Sequence, residues 1–198
     1  MKAAQAAGVA AALLAILAAI AGNSRRSSNG KVDVAALAGE IEHESDHVTA
    51  LELAQWIRDR KDGLRVIDVR SDSEFNDFHI PTAEHVSLAS IASLKPVGDE
   101  TLVLYSEGGA HAAQAWVLLR SLGFRHVYFL RGGLLDWMDD VMSPSLPERT
   151  GNAKADSARD HTADLSRYFG GVPHAGPAAA STSGSATSAV AKVKRRGC

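Results

Sequence analysis

Residues 101–122 read Thr101-Leu-Val-Leu-Tyr-Ser106-Glu-Gly-Gly-Ala-His111-Ala-Ala-Gln-Ala-Trp-Val-Leu-Leu-Arg-Ser-Leu122. The apolar run at the start predicts a strand, and the apolar spacing after residue 111 predicts a helix. A strand, a tight loop and a helix in this order direct backbone N–H groups and the positive end of the helix at whatever the loop holds. A cysteine at the first loop position would be a strong nucleophile, because this environment stabilises a thiolate. This chain has Ser106 there.

Strand-like and helix-like segments alternate on both sides of this stretch. A short helix is expected within residues 32–44, and Thr49 with Glu52 forms a capping box that predicts the start of a second helix. Further elements are expected at residues 64–69 (a buried strand), 85–86 (a strand), 88–94 (a small helix) and 126–130 (a strand). This alternation predicts an α/β fold with a parallel sheet flanked by helices. Ligands of such sheets lie beyond the carboxyl ends of the strands, which is where Ser106 is expected.

Three stretches of this sequence resemble the rhodanese-like domain family. They are Val66-Ile-Asp-Val-Arg70 with Glu74-Phe75 and His79-Ile-Pro81, then Leu102-Val-Leu-Tyr-Ser-Glu-Gly-Gly-Ala-His111, and Leu122-Gly-Phe-Arg-His-Val-Tyr-Phe-Leu-Arg-Gly-Gly133 closing on Trp137. The resemblance implies a rhodanese-like domain over residues 48–145. In active members of the family the loop begins with a cysteine that carries a persulfide, and a basic residue, often arginine, lies five positions later.

The chain departs from the family pattern at three positions. Ser106 stands in place of the cysteine, His111 in place of the later basic residue, and Phe78 where the family usually has glycine. The resemblance therefore implies the rhodanese fold but not sulfurtransferase activity. Asp68 and Arg70 match the family's Asp-x-Arg, and we expect Arg70 to pair with Asp68 or Glu74 and to shape the edge of the pocket, since buried charges are normally paired.

Composition excludes several classes of protein. The 198 residues carry 45% hydrophobic residues and a net charge of −2, which fits one globular domain with appendages and argues against a general nucleic-acid binder. Cys198 is the only cysteine, so the chain can form no internal disulfide and lacks the cysteine pairs of common structural zinc sites. We predict no cofactor and no metal site.

The two ends of the chain differ from the central domain. Residues 1–22 are apolar after Lys2 and predict a single-pass membrane anchor, which we favour, or a signal peptide cleaved near Ala21 that would release a secreted or periplasmic protein. Residues 23–47 are predicted to be a linker with a short helix. Residues 146–198 are predicted to be a largely disordered tail.

The candidate site consists of Ser106 and the loop residues that follow it. These are Glu107, Gly108, Gly109, Ala110 and His111. A serine hydroxyl needs a positioned base to become a nucleophile, and His111 is the nearest candidate for a hydrolytic pair, which we consider the weakest interpretation. Glu107 adds negative charge, which disfavours the binding of small anions.

Two functional hypotheses follow. The first is a membrane-associated binding or regulatory module whose partner is a protein or a small anion and which lacks sulfurtransferase activity through its loop. The second is a sulfurtransferase or thiol oxidoreductase that uses Cys198, whose thiol pKa the basic residues 194–196 would lower and which the tail would place over the pocket.

Overall fold

The computed structural model describes residues 33–95 and 97–176. The apolar residues 1–22, the basic residues 192–196 and Cys198 lie outside these ranges, so the expectations placed on them remain predictions. Within the described ranges, no helix combines the length and apolarity that crossing a bilayer requires.

A five-stranded parallel sheet forms the centre of the fold, in the spatial order β1-β5-β4-β2-β3. The strands are β1 (His47–Val48), β2 (Leu64–Asp68), β3 (Ala83–His85), β4 (Thr101–Tyr105) and β5 (Val127–Leu130). The strand register aligns Asp68 with both Tyr105 and His85, at the carboxyl edge of the sheet. The predicted parallel sheet with flanking helices is confirmed.

Helices cover both faces of the sheet and several begin at side-chain caps. The described residues form α1 (Val34–Glu42), α2 (Ala50–Arg58), α3 (Asp72–Asp77), α4 (Ala110–Ser121), α5 (Gly133–Trp137) and α6 (Ala153–Tyr168), with a 3-10 helix at Leu88–Ser93 and a π-helical turn at Met138–Met142. The capping box predicted for α2 is present. The Thr49 N–H donates to the Glu52 carboxylate at 2.8 Å, and the Glu52 N–H donates to the Thr49 hydroxyl at 3.2 Å.

Alternate residues of the central strands supply two hydrophobic cores, one on each side of the sheet. Val103 and Tyr105 of β4 belong to the core shared with α2, α5 and α6. Leu102 and Leu104 belong to the core shared with α4 and the 3-10 helix. Because β4 is covered on both faces, residues 102–105 are all buried and none is charged.

The C-terminal part of the described chain differs from the predicted disordered tail. Residues 146–176 include the sixteen-residue helix α6, and a short parallel pair joins β6 (Ser145–Leu146) to β7 (His174–Ala175). Leu165 of α6 is fully buried in the core that contains α2 and α5. The prediction is wrong for this segment because α6 is rich in alanine and charge, so few apolar side chains mark its buried face.

Candidate functional site at the loop after strand β4

The loop at residues 106–111 follows directly from the end of β4 and turns into α4. Gly109 is the residue before α4 and has a φ of 87°, a left-handed conformation that glycine adopts without steric cost. A Cβ on Gly109 would lie 3.3 Å from the Leu130 carbonyl oxygen. The glycine therefore allows both the turn and the close packing of the loop on the end of β5.

A second glycine turn supports the loop from below. The Leu134 N–H donates to the Ser106 carbonyl at 2.9 Å, and the Leu135 N–H donates to the Glu107 carbonyl at 3.1 Å. A Cβ on Gly133 would lie 2.2 Å from the Ser106 carbonyl oxygen, so only glycine fits between these two backbone segments. The start of α5 thus holds the loop in position through two backbone hydrogen bonds.

Ser106 is 3% exposed, and its hydroxyl points toward the first turn of α4. The Ser106 Oγ accepts a hydrogen bond from the Ala112 N–H at 3.3 Å, so the hydroxyl satisfies one of the unpaired donors at the helix start. His111 is exposed and makes no hydrogen bond to Ser106 in the described part of the chain. The structure therefore does not join the two residues of the hypothetical hydrolytic pair.

The remaining loop N–H groups lack acceptors in the described part of the chain, and residues 107, 108, 110 and 111 are exposed. Within residues 33–95 and 97–176, no acceptor takes the N–H groups of residues 107–111. These donors lie at the start of α4, whose dipole adds partial positive charge. The arrangement suits an anionic group or a carbonyl oxygen.

Arg70 is anchored at the edge of the loop by protein acceptors. Its guanidinium donates to the buried Asp68 carboxylate, with a shortest distance of 2.7 Å, and to the Phe78 carbonyl at 2.6 Å. Its Nη1 lies 3.5 Å from the Glu107 carboxylate. Burial alone would lower the pKa of Arg70, but the hydrogen bonds and charge of Asp68 outweigh it and the pKa is raised.

Of the two acids considered as partners of Arg70, the structure selects Asp68. Glu74 instead completes a capping box at the start of α3, where its carboxylate accepts from the Ser71 N–H at 2.9 Å. The hydrogen bonds from Ser71 lower the pKa of Glu74. Ser71 and Glu74 have the same spacing as Thr49 and Glu52, so the sequence pattern also predicts this second capping box.

Tyr105 belongs to the site although nothing in the sequence pattern singles it out. Its ring lies 5.6 Å from the Arg70 guanidinium, and its hydroxyl accepts from the Ile80 N–H at 3.1 Å. Burial, followed by the neighbouring Asp68, raises the pKa of Tyr105, so the phenol remains neutral. Tyr105 thereby ties the strand end to the segment that carries the Phe78 carbonyl.

The described residues contain no group of three or more His, Cys, Asp or Glu side chains placed to hold a metal ion. The site as described consists of backbone donors, the buried Ser106 hydroxyl and the Asp68–Arg70 ion pair.

Comparisons with known proteins agree with this geometry. The sequence model of the family described as "Rhodanese-like domain" matches residues 49–140. A protein from Allochromatium vinosum named "Sulfurtransferase" is 31% identical over 114 residues, which are 57% of this chain and 99% of that protein. "Probable adenylyltransferase/sulfurtransferase MoeZ" of Mycobacterium tuberculosis is 33% identical over 94 residues, which are 46% of this chain.

The chain spans 24% of the length of the Mycobacterium protein. Among solved structures, "Human Single Domain Sulfurtranferase TSTD1" is 24% identical with a TM-score of 0.43, covering 47% of this chain and 95% of that chain. The family match, together with the relative that is aligned over nearly its whole length, shows that this chain belongs to the rhodanese-like domain family.

Proposed function

We propose that the rhodanese-like domain is a binding module, and that its loop holds a group of a partner protein without forming a persulfide. The observation that carries the proposal is Ser106 at the first loop position, with its hydroxyl accepting from the Ala112 N–H. A backbone N–H cannot remove a proton, and a helix end alone does not ionise a serine hydroxyl. The loop therefore keeps its donors and lacks a nucleophile.

The rim of the loop supports a protein as the partner rather than a free small anion. Leu135 is 47% exposed, and a Cβ on Gly108 would lie 4.0 Å from its side chain. Phe78, whose carbonyl accepts from Arg70, is 38% exposed. Exposed apolar side chains beside polar donors are typical of protein interfaces. The exposed Glu107 carboxylate repels a free dianion such as thiosulfate, whereas a single carboxylate or carbonyl of a partner can reach the remaining N–H groups.

Sulfur transfer from thiosulfate to cyanide tests the absence of catalysis. The full chain and its Cys198→Ser variant should both match the uncatalysed rate. Transfer that persists in Cys198→Ser and disappears in Ser106→Ala would overturn the proposal. Transfer that disappears in Cys198→Ser would favour the alternative in which the C-terminal thiol reacts.

The double variant Ser106→Cys/Cys198→Ser tests the donor arrangement of the loop. A thiolate at position 106 would lie among the same N–H groups and should take the outer sulfur of thiosulfate as a persulfide, releasing sulfite. Slow but measurable transfer is expected, because the Glu107 carboxylate weakens the approach of the dianion without blocking it. Ser106→Ala/Cys198→Ser is the matched control without a nucleophile. A folded cysteine variant that gains no activity would contradict an anion-holding loop.

We also infer membrane attachment through residues 1–22, which rests on the apolarity of that segment. Alkaline extraction of membranes should leave the full chain in the pellet. A mature protein whose mass begins near residue 22 would show that the segment is a cleaved signal peptide.

A further inference from the structure

A cleft separate from the loop is built largely by the chain that follows the family match. We name it the extension cleft; it has a volume of about 640 Å³. The π-helical turn contributes Asp139 and Asp140 to its lining, and α6 contributes Ala155, Ala158, Arg159 and Thr162. Three of these residues, Ala155, Ala158 and Thr162, lie on one face of α6. Their small side chains leave open a volume within the usual range of binding pockets.

One wall of the extension cleft carries the negative charge of two carboxylates, which Arg131 offsets only in part. Asp139 and Asp140 lie on the π-helical turn, and in the described residues neither carboxylate forms an ion pair. Partial burial, followed by the charges of Asp136 and Asp139, raises the pKa of Asp140.

Arg159, the arginine that lines the cleft, pairs with Asp160 and not with Asp139 or Asp140. Its Nε donates to the Pro147 carbonyl at 2.9 Å and its Nη1 to Asp160 at 3.1 Å. The cleft therefore favours a ligand that brings cationic groups to Asp139 and Asp140.

The other lining residues favour long cationic side chains over a bare ion. Leu51, Leu146 and Pro147 provide apolar surface in the same cleft. Lysine and arginine pack their aliphatic stems on apolar surface while the charged ends reach polar groups. A segment with several lysines and arginines matches both properties of the cleft.

The chain itself carries such a segment. His174 lines the cleft, and the described structure ends two residues later at Gly176. Residues 177–191 carry no charged side chain, and Lys192, Lys194, Arg195 and Arg196 follow. A connection of this length spans at most about 50 Å, which is ample for a return to a cleft at its own starting point. Covalent connection also raises the effective concentration to the millimolar range.

We propose that residues 192–196 bind in the extension cleft of the same chain, with their cationic groups facing Asp139 and Asp140. This places a self-docked segment against the π-helical turn and α6. The proposal does not depend on the function assigned to the loop at residues 106–111.

Zero-length coupling of carboxylates to amines with a carbodiimide tests the docking in the full chain. At low protein concentration, peptide mapping should find Lys192 or Lys194 joined to Asp139 or Asp140 in material of monomer mass. High salt should reduce this coupling, because salt screens exposed charge pairs. Coupling found only in material of dimer mass would overturn self-docking and identify a second copy as the occupant.

Two double variants with equal loss of charge serve as a matched pair. Asp139→Asn/Asp140→Asn should reduce the coupling of Lys192 and Lys194 to background. Asp62→Asn/Asp77→Asn removes two exposed carboxylates from other surfaces and should leave the coupling of Lys192 and Lys194 unchanged. Equal coupling in both variants, or coupling of these lysines to many carboxylates without preference, would overturn the proposal.

A measurement that leaves the cleft intact provides a second test. Replacing Lys192, Lys194, Arg195 and Arg196 with glutamine in the full chain removes the cations and alters no described residue. A nearby cation stabilises a carboxylate, so the pKa of Asp140, followed by carboxyl NMR, should rise in this variant. An unchanged titration of Asp140 would contradict the docking.

Discussion

Asp68 and Arg70 form a buried ion pair next to the loop, and the pair is completed by hydrogen bonds. Asp68 accepts from the Arg70 backbone N–H at 2.9 Å as well as from its guanidinium. Arg70 in turn holds the Phe78 carbonyl, so one charged side chain connects β2 to the segment before β3. A buried charge of this kind is stable only while its partners remain in place.

Asp68→Asn should destabilise the protein by about 3–5 kcal/mol, because it leaves the Arg70 charge buried without a counter-charge. Urea unfolding followed by tryptophan fluorescence measures this free energy. Asp62→Asn, at an exposed position, is the matched control and should change stability by no more than about 0.5 kcal/mol. Similar effects of the two substitutions would show that Arg70 finds another partner.

Gly133 has no room for a Cβ against the backbone of the loop. Gly133→Ala should cost more than the ~1–2 kcal/mol that a left-handed conformation imposes on alanine, because the new Cβ also collides with the Ser106 carbonyl oxygen. Gly151→Ala is the matched control, since Gly151 has a similar φ of 76° and no neighbouring atom within 4 Å of the position that an alanine Cβ would take. Urea unfolding of both variants separates the collision from the backbone strain. If the two variants lose the same free energy of unfolding, the loop must shift away from the new Cβ without destabilising the protein.

Helix caps contribute stability that depends on pH. The Glu52 carboxylate accepts from the Thr49 N–H and hydroxyl, and these hydrogen bonds lower its pKa below the ordinary value of 4.5. A carboxyl group with a lowered pKa in the folded state stabilises the fold above the unfolded pKa, and this contribution disappears as pH falls through the folded pKa. The start of α2 is therefore weakened in acid.

Thr49→Ala should destabilise the protein by about 1 kcal/mol near neutral pH, the usual cost of losing a cap. The cost should shrink as pH falls from the ordinary carboxyl value of 4.5 through the lowered folded-state pKa of Glu52, where this residue becomes protonated in both proteins. In a Glu52→Gln background the same substitution should have a cost that does not vary with pH. Urea unfolding at neutral and acidic pH measures these differences, and a cost independent of pH with Glu52 present would contradict the capping explanation.

Helix α6 makes the folded unit larger than the segment that the family match covers. Leu165 is 0% exposed and packs in the same core as Leu53 of α2 and Trp137 of α5. The Trp137 ring meets Phe169 edge to face at a centroid distance of 5.1 Å. These contacts predict that α6 unfolds together with the sheet.

Leu165→Ala should cost about 2–5 kcal/mol, as is usual for a leucine truncated in a packed core. Leu118→Ala, at a position that is 47% exposed on α4, is the control and should have little effect. Tryptophan fluorescence and far-UV circular dichroism should report a single, coincident transition for both variants. A separate early transition in circular dichroism would show that α6 unfolds independently.

Local patterns in the sequence were sufficient to predict the parallel sheet, the Thr49 cap and the position of Ser106 at the end of a strand. Each of these features depends on residues only a few positions apart, because strand alternation, helical spacing and caps are short-range effects. The apolar run before Ser106 and the glycines after it predict the loop for the same reason.

The partners of Arg70, the inclusion of Tyr105 in the site and the burial of α6 became evident only in the folded protein. Asp68 and Tyr105 are neighbours through strand register, and Gly133 meets Ser106 across 27 positions of the chain. Such contacts are selected by the packing of the whole molecule and leave no periodic pattern in the sequence. The buried face of α6 contains few apolar residues, so the position of this helix depends on its packing against α2 and the π-helical turn.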